Sequence, residues 1–256
     1  MKALLQCQKI NIRAGNRELI HQLQWHIEAQ QCWGILGPNG CGKTSLLHSL
    51  AGLREVEDGE ILIQQQSINS YSRRELAQLI GLLFQHSSYD FPTAVEELMM
   101  SGRFAHQSLL AGDSAEDRQL VHTAMQDFMI THLAKRAANS LSGGEIQRVA
   151  MAILRTQSPR IALLDEPENH LDPGIMFKLL QLLTGYFSIN NRSCIMVLHD
   201  PSVAVRLCSH LLLLFGDGRY IKGRTMEIAT PENLSKLYAH PMHAVNIDDG
   251  LLFYPG

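Results

Sequence analysis

The chain contains no apolar run long enough to cross a bilayer. Its longest runs, such as Leu211 to Phe215, fall far short of the roughly 20 residues a membrane helix needs. Met1 to Gly15 holds no signal-like apolar core, which reads as a protein made where it works. A disulfide framework is absent too: the five cysteines (Cys7, Cys32, Cys41, Cys194 and Cys208) are odd in number and form no C-x-x-C pair. They read as free thiols in a reducing cytosol. Nor is there an excess of charge of one sign. A net charge of −3 provides no field for nucleic acid or an anionic membrane. Internal repeats, heptads and low-complexity segments are missing as well.

What remains is 256 residues, enough to bury roughly three quarters of the unfolded surface around one sizeable core without metal or disulfide staples. The N-terminal stretch alternates polar and apolar residues, as in Leu23-Gln24-Trp25-His26-Ile27, with Gly15-Asn16 as a turn, which predicts a small antiparallel sheet. Trp33 to Leu36 is a short apolar strand, and Thr44 to Leu50 a helix that stops near Gly52. From about His86 to Gln157 helical spacing replaces strand alternation, notably at Ile146, Val149, Ala150, Ile153 and Leu154. Ile161 to Leu164 and Cys194 to Leu198 read as buried parallel strands on either side of a helix at Ile175 to Leu183, and Asp217-Gly218 as the turn of a last hairpin. The expectation is an α/β fold with a mostly parallel sheet, an N-terminal antiparallel β subdomain and an inserted α-helical subdomain. The core would comprise residues 1–85 and 159–222, the helical insert 86–158, and a short C-terminal extension 223–256, all in one domain.

Two segments carry chemistry by themselves. Gly37-Pro38-Asn39-Gly40-Cys41-Gly42-Lys43-Thr44 fits G-x-x-x-x-G-K-[ST] between a strand and a helix. Its glycines let backbone N–H groups turn in on a diphosphate, at the positive end of the following helix. Lys43 would reach the β and γ phosphates, the Thr44 hydroxyl would ligate Mg²⁺, and Ser45 completes the ATP-binding set. Further on, four apolar residues lead into Asp165-Glu166, two carboxylates at the C-terminal end of a buried strand, where open α/β sheets bind ligands. Asp165 would hold Mg²⁺ through water and Glu166 would address the water that attacks the γ phosphate, since phosphoryl transfer needs mainly positioning and charge neutralisation.

Leu141-Ser142-Gly143-Gly144-Glu145, followed by Gln147 and Arg148, adds a serine-capped helix start that can serve as a second anion site. With this segment in place the chain resembles the ATP-binding cassette ATPases along nearly its whole length. The resemblance implies that Gln85 senses Mg²⁺ and the attacking water, and that His199 is a switch histidine on the γ phosphate. It further implies that Asp172 reaches across to a partner, and that Ser142, Gly143, Gly144 and Glu145 contact ATP bound to a second copy. ATP and Mg²⁺ are the implied cofactors, and an ATP-sandwich dimer the implied working form.

The chain also departs from the family's pattern. Asn11 to Gly15 offers no aromatic residue for adenine, leaving the Arg13 guanidinium as the candidate. Glu168 stands where threonine is common, and Asn169-His170 where serine-alanine is common. Cys41 puts a thiol beside phosphate-binding N–H groups and a lysine, which predicts a lowered pKa. Gln85 to Ser88, Phe91 to Glu97 and Thr131 to Arg136 are similar to the iron-siderophore, haem, cobalamin and molybdate importer group. That similarity implies two transmembrane permease subunits docking at Tyr89 to Arg103, a separate substrate-binding protein, no nucleic acid, and a place on the cytoplasmic face of the inner membrane. A soluble cassette in iron–sulfur assembly, an exporter ATPase and a nucleotide-gated regulator without turnover are the competing readings. The last is disfavoured by the presence of Lys43, Gln85, Asp165, Glu166 and His199.

Overall fold

The computed structural model describes residues 3–107, 112–248 and 250–256; residues 108–111 of the expected helical insert lie outside them. In chain order the elements begin with β1 (Leu5–Ala14), β2 (Arg17–Ile27), β3 (Cys32–Leu36), α1 (Lys43–Leu50), β4 (Glu60–Ile63), β5 (Gln66–Ser67), α2 (Arg73–Leu79) and β6 (Ile80–Leu83). The helical insert holds α3 (Val95–Met100), α4 (Ala115–Asp127) and α5 (Gly143–Gln157). The chain then returns through β7 (Ile161–Asp165), α6 (Pro173–Phe187), β8 (Ser193–Val197), α7 (Pro201–Leu207), β9 (His210–Leu214) and β10 (Tyr220–Arg224). It closes with α8 (Thr225–Ile228), α9 (Pro231–Tyr238), β11 (Met242–Ile247) and β12 (Gly250–Pro255).

The central sheet runs β10-β9-β3-β8-β7-β6, parallel except for β10. Strands β3, β7 and β8 are buried at every position, because each face of the sheet meets a different core. Ile35, Leu163, Ile195 and Leu212 point to the side of the antiparallel sheet β2-β1-β4-β5 and helix α1. Leu36, Leu164, Met196 and Leu213 point to the helices of the insert and to α6, α7 and α9. A continuously apolar strand is what two covered faces require.

The C-terminal residues form more than a tail. Strand β12 packs on α7, with the Phe253 N–H donated to Ser202 Oγ at 2.9 Å. This ribbon was not visible in the sequence, because β11 and β12 are half-exposed and carry no strong alternation of their own.

The insert is stapled by a buried ion pair. Arg103 donates Nε to Asp117 Oδ1 at 2.7 Å and Nη1 to the Thr156 carbonyl at 2.9 Å, joining the turn after α3 to α4 and α5. Both side chains are about nine-tenths buried, at 12% and 11% exposure. The Arg103 hydrogen bond holds the Asp117 carboxyl below the usual carboxylate range. Asp117→Ala is expected to cost about 3 kcal/mol in urea unfolding at pH 7, because it strands the guanidinium. A depressed folded-state pKa stabilises above the unfolded value, about pH 4, and that stability is lost as pH falls through the folded value. The gap between wild type and variant should therefore shrink on acidification below about pH 4; a gap that widens there would contradict the pairing.

Candidate active site

The phosphate-binding loop joins β3 to α1. Gly42, at the helix start, has φ 103°, a left-handed conformation that residues with a Cβ rarely adopt. With no side-chain cap there, the first N–H groups of α1 are left to the loop. Gly37 is needed for closeness, since a Cβ on it would lie 2.4 Å from the Leu214 carbonyl oxygen. Lys43 is buried, and its Nζ donates to the carbonyls of Gly37 at 2.8 Å and Pro38 at 3.2 Å. The ammonium is thus held over the loop it serves.

Asp165 ends β7 and is 1% exposed. Its Oδ1 accepts the Thr44 hydroxyl at 3.2 Å, while Oδ2 is buried without a partner. Burial raises this carboxyl, against the Thr44 hydrogen bond. A hydroxyl and an orphaned carboxylate oxygen side by side form a hard oxygen donor set, which suits a divalent cation such as Mg²⁺.

Glu166 follows at φ 48°, an uncommon conformation for a residue with a side chain. Its side chain is 12% exposed, and three groups meet it, two of them from distant parts of the chain. Gln85 Nε2 donates to Oε2 at 2.6 Å, Asn169 Nδ2 donates to Oε2 at 3.1 Å, and His199 Nε2 meets Oε1 at 2.8 Å. Because a carboxylate only accepts, that imidazole nitrogen carries the proton. Burial pushes the Glu166 carboxyl up, but the hydrogen bonds of Asn169, His199 and Gln85 outweigh it and leave the group below the usual range. The anion is therefore the stable form, as a group that accepts a proton from water requires.

Ser142, Gly143, Gly144 and Glu145 open α5. Ser142 and Glu145 form a capping box in which Glu145 Oε2 accepts the Ser142 N–H at 2.7 Å. Glu145 Oε1 is taken by Arg136 at 2.9 Å, so this carboxylate is engaged at its own helix start. Asp172 is exposed at the start of α6 and makes no cap hydrogen bond. Among the described residues, no hydrogen bond or ion pair joins Ser142–Glu145 or Asp172 to the loop Gly37–Ser45. One copy therefore gathers Lys43, Thr44, Gln85, Asp165, Glu166 and His199, with the Ser142–Glu145 helix start not hydrogen-bonded to the loop Gly37–Ser45.

One expectation changes. Cys41 is 1% exposed, and burial pushes its thiol up, overriding the nearby Lys43 charge; the lowered pKa expected from the loop's electrostatics is corrected by desolvation. Arg13 is engaged by Glu57 at 3.1 Å and Glu18 at 3.7 Å. Two other guanidinium groups lie beside the loop: Arg17, bonded to the Gly216 carbonyl at 2.8 Å, and Arg54, bonded to the Ser45 hydroxyl at 3.0 Å. Sequence reasoning gave no bonding role to Asn169 or to Gln147, whose Nε2 donates from α5 to the Pro167 carbonyl at 3.1 Å. Only the departure at residues 168–170 hinted at the first.

The loop, the adjacent hydroxyl and carboxylate, and the braced glutamate define a P-loop nucleotide-binding site on a sheet with an inserted helical subdomain. Residues 20–169 match the family described as ABC transporter. The chain is 34% identical over 247 residues to the ferric enterobactin transport ATP-binding protein FepC of Escherichia coli (strain K12), covering 96% of this chain and 90% of that protein. It is 32% identical over 240 residues to the hemin import ATP-binding protein HmuV of Pseudomonas fluorescens (strain Pf-5), covering 92% of each. A solved ABC transporter of metal-chelate type, in an inward-facing conformation, superposes with a TM-score of 0.84 at 28% identity, over 100% of this chain and 98% of that one. The chain belongs to the ABC transporter family, as an ATP-binding protein and an ATPase of the kind coupled to transport.

The burial of Cys41 reverses what electrostatics alone would predict for thiol reagents. Brief alkylation of the folded chain at pH 7.5 should leave Cys41 unlabelled by mass spectrometry, and Cys41→Ser should alter neither ATPase rate nor sensitivity by more than about twofold. Rapid, ATP-protected labelling of Cys41 would contradict its burial.

Proposed function

We propose that this chain is the ATP-hydrolysing subunit of a bacterial importer for a metal chelate, of the iron-siderophore or haem kind. The observation that carries the reading is the convergence of Gln85, Asn169 and His199 on Glu166 beside the Thr44–Asp165 pair, in a chain whose relatives are named for siderophore and hemin transport. Each feature has a task. The loop Gly37–Ser45 binds the ATP phosphates through its N–H groups and Lys43. Thr44 and Asp165, with Gln85, would hold Mg²⁺, which when bound supplies charge neutralisation to the phosphates. Glu166 takes the proton of the attacking water while Gln85 and His199 fix its orientation.

The site of one copy lacks its second wall. Ser142, Gly143 and Gly144 of another copy would close over the γ phosphate, with Asp172 reaching across. ATP then clamps two copies together, and hydrolysis releases them. No helix among the described residues is long and apolar enough to cross a membrane. Passage of the cargo would belong to two permease subunits, as the likeness to import ATP-binding proteins supports, supplied by a separate substrate-binding protein on the far side. The chain would sit on the cytoplasmic face of the inner membrane. A cleft of about 580 Å³ between α3 and α4, lined by Met100, Phe104, Val121 and Met125 together with Glu96 and Glu97, provides a seat for a permease helix. Phe104 in that lining and Phe91, in the segment leading to α3, are both exposed.

Affinity recovery of the tagged chain from detergent-solubilised membranes tests this. Two hydrophobic subunits are expected to co-purify, and Phe91→Asp with Phe104→Asp should lower their recovery about tenfold or more, as expected for removal of aromatic anchors. Recovery with cytosolic assembly proteins alone would overturn the importer reading in favour of a soluble cassette.

A further inference from the structure

Glu168 lies two residues beyond Glu166, in a turn closed by the Asn169 N–H on the Glu166 carbonyl at 3.2 Å. Its side chain is turned inward. Oε1 accepts the main-chain N–H of His199 at 2.9 Å, and Oε2 is buried with no partner. Burying a carboxylate oxygen without a donor is unfavourable, so local packing alone does not account for an acidic residue here. The strand end carrying Glu166 and the strand end carrying His199 are joined through this side chain, across 31 residues of sequence.

The join matters because the imidazole and the Glu166 carboxylate must meet at hydrogen-bond distance, 2.8 Å, and such contacts tolerate displacements of only about 0.5 Å. The His199 main chain is held on both sides: its N–H by Glu168 and its carbonyl by the Tyr238 hydroxyl at 3.4 Å. Of the two, the Glu168 bond is the shorter and involves a carboxylate, the stronger kind of acceptor.

We propose that Glu168 is a positioning residue for ATP hydrolysis, one that fixes the His199 main chain and thereby sets the imidazole against the Glu166 carboxylate. The proposal rests on the reading of Glu166 and His199 as the hydrolytic pair. Glu168 does not touch ATP in this account. It acts through the placement of His199.

The test compares steady-state ATPase kinetics of the full chain with Glu168→Met, which keeps the volume and removes the acceptor, and Glu168→Gln, which keeps an acceptor oxygen. Thermal unfolding and fluorescent ATP-analogue binding accompany the rates. Glu168→Met should lower kcat about ten- to hundredfold, the value of a hydrogen bond to a charged group, with KM and analogue affinity within about twofold. Glu168→Gln should recover most of the rate. In a His199→Ala background, Glu168→Met should lower the rate no further, because the position of the imidazole no longer counts. Wild-type kcat in Glu168→Met, equal impairment in Glu168→Gln, or multiplying losses in the double variant would overturn the proposal. If His199→Ala is slowed while Glu168→Met is unimpaired, only this proposal falls. Full turnover by His199→Ala would take the hydrolytic pair down with it.

Discussion

The negative charge of Glu166 is the constraint around which the site is arranged. A carboxylate only 12% exposed must be answered by donors or it takes up a proton, and a protonated glutamate cannot accept one from water. The donors come from three separate segments: Gln85 after β6, Asn169 after β7 and His199 after β8. These strands are neighbours in the order β8-β7-β6, so their C-terminal ends bring the three side chains to one edge. Parallel register places them there, and the two covered faces of the sheet keep the register fixed.

The same constraint links the helical insert to the nucleotide side. Gln85 leads from β6 into the insert, and Gln147 on α5 returns to the Pro167 carbonyl, one residue past Glu166. The helix that presents Ser142 and Gly143 is therefore bonded to the segment that carries the proposed catalytic base. Movement of α5 relative to the sheet would be felt at Glu166 through this carbonyl and through Gln85. That offers a physical route by which events at the proposed permease-docking surface of the insert reach the proposed catalytic base.

Much of this was legible in the sequence because the chemistry leaves local traces. A glycine loop with Lys43 and Thr44, and four apolar residues before Asp165, are consecutive patterns whose geometry follows from the backbone. The mostly parallel sheet followed from apolar runs separated by helical spacing. Side-chain bonds between segments left no such trace: Glu168 and Asn169 were visible only as departures, with nothing to say that one binds His199 and the other Glu166. The thiol of Cys41 was misjudged for a related reason. Its charged neighbours are adjacent in sequence, but its burial under Gly37 and Gly216 is a property of the fold. The ribbon of β11 and β12 was missed because a half-exposed hairpin has little pattern to read.

The central claim is that one copy supplies the base and the phosphate cradle, while a second copy completes the site. Size-exclusion chromatography with light scattering on Glu166→Gln, with and without ATP, tests it most directly. The substitution leaves the cradle and the Thr44–Asp165 pair intact and removes the proton acceptor, a loss of about 10²–10⁴ in rate. The account predicts an ATP-dependent dimer that persists in this variant and disappears when Ser142→Arg is added. A monomer under every condition, or near-wild-type turnover by Glu166→Gln, would contradict it.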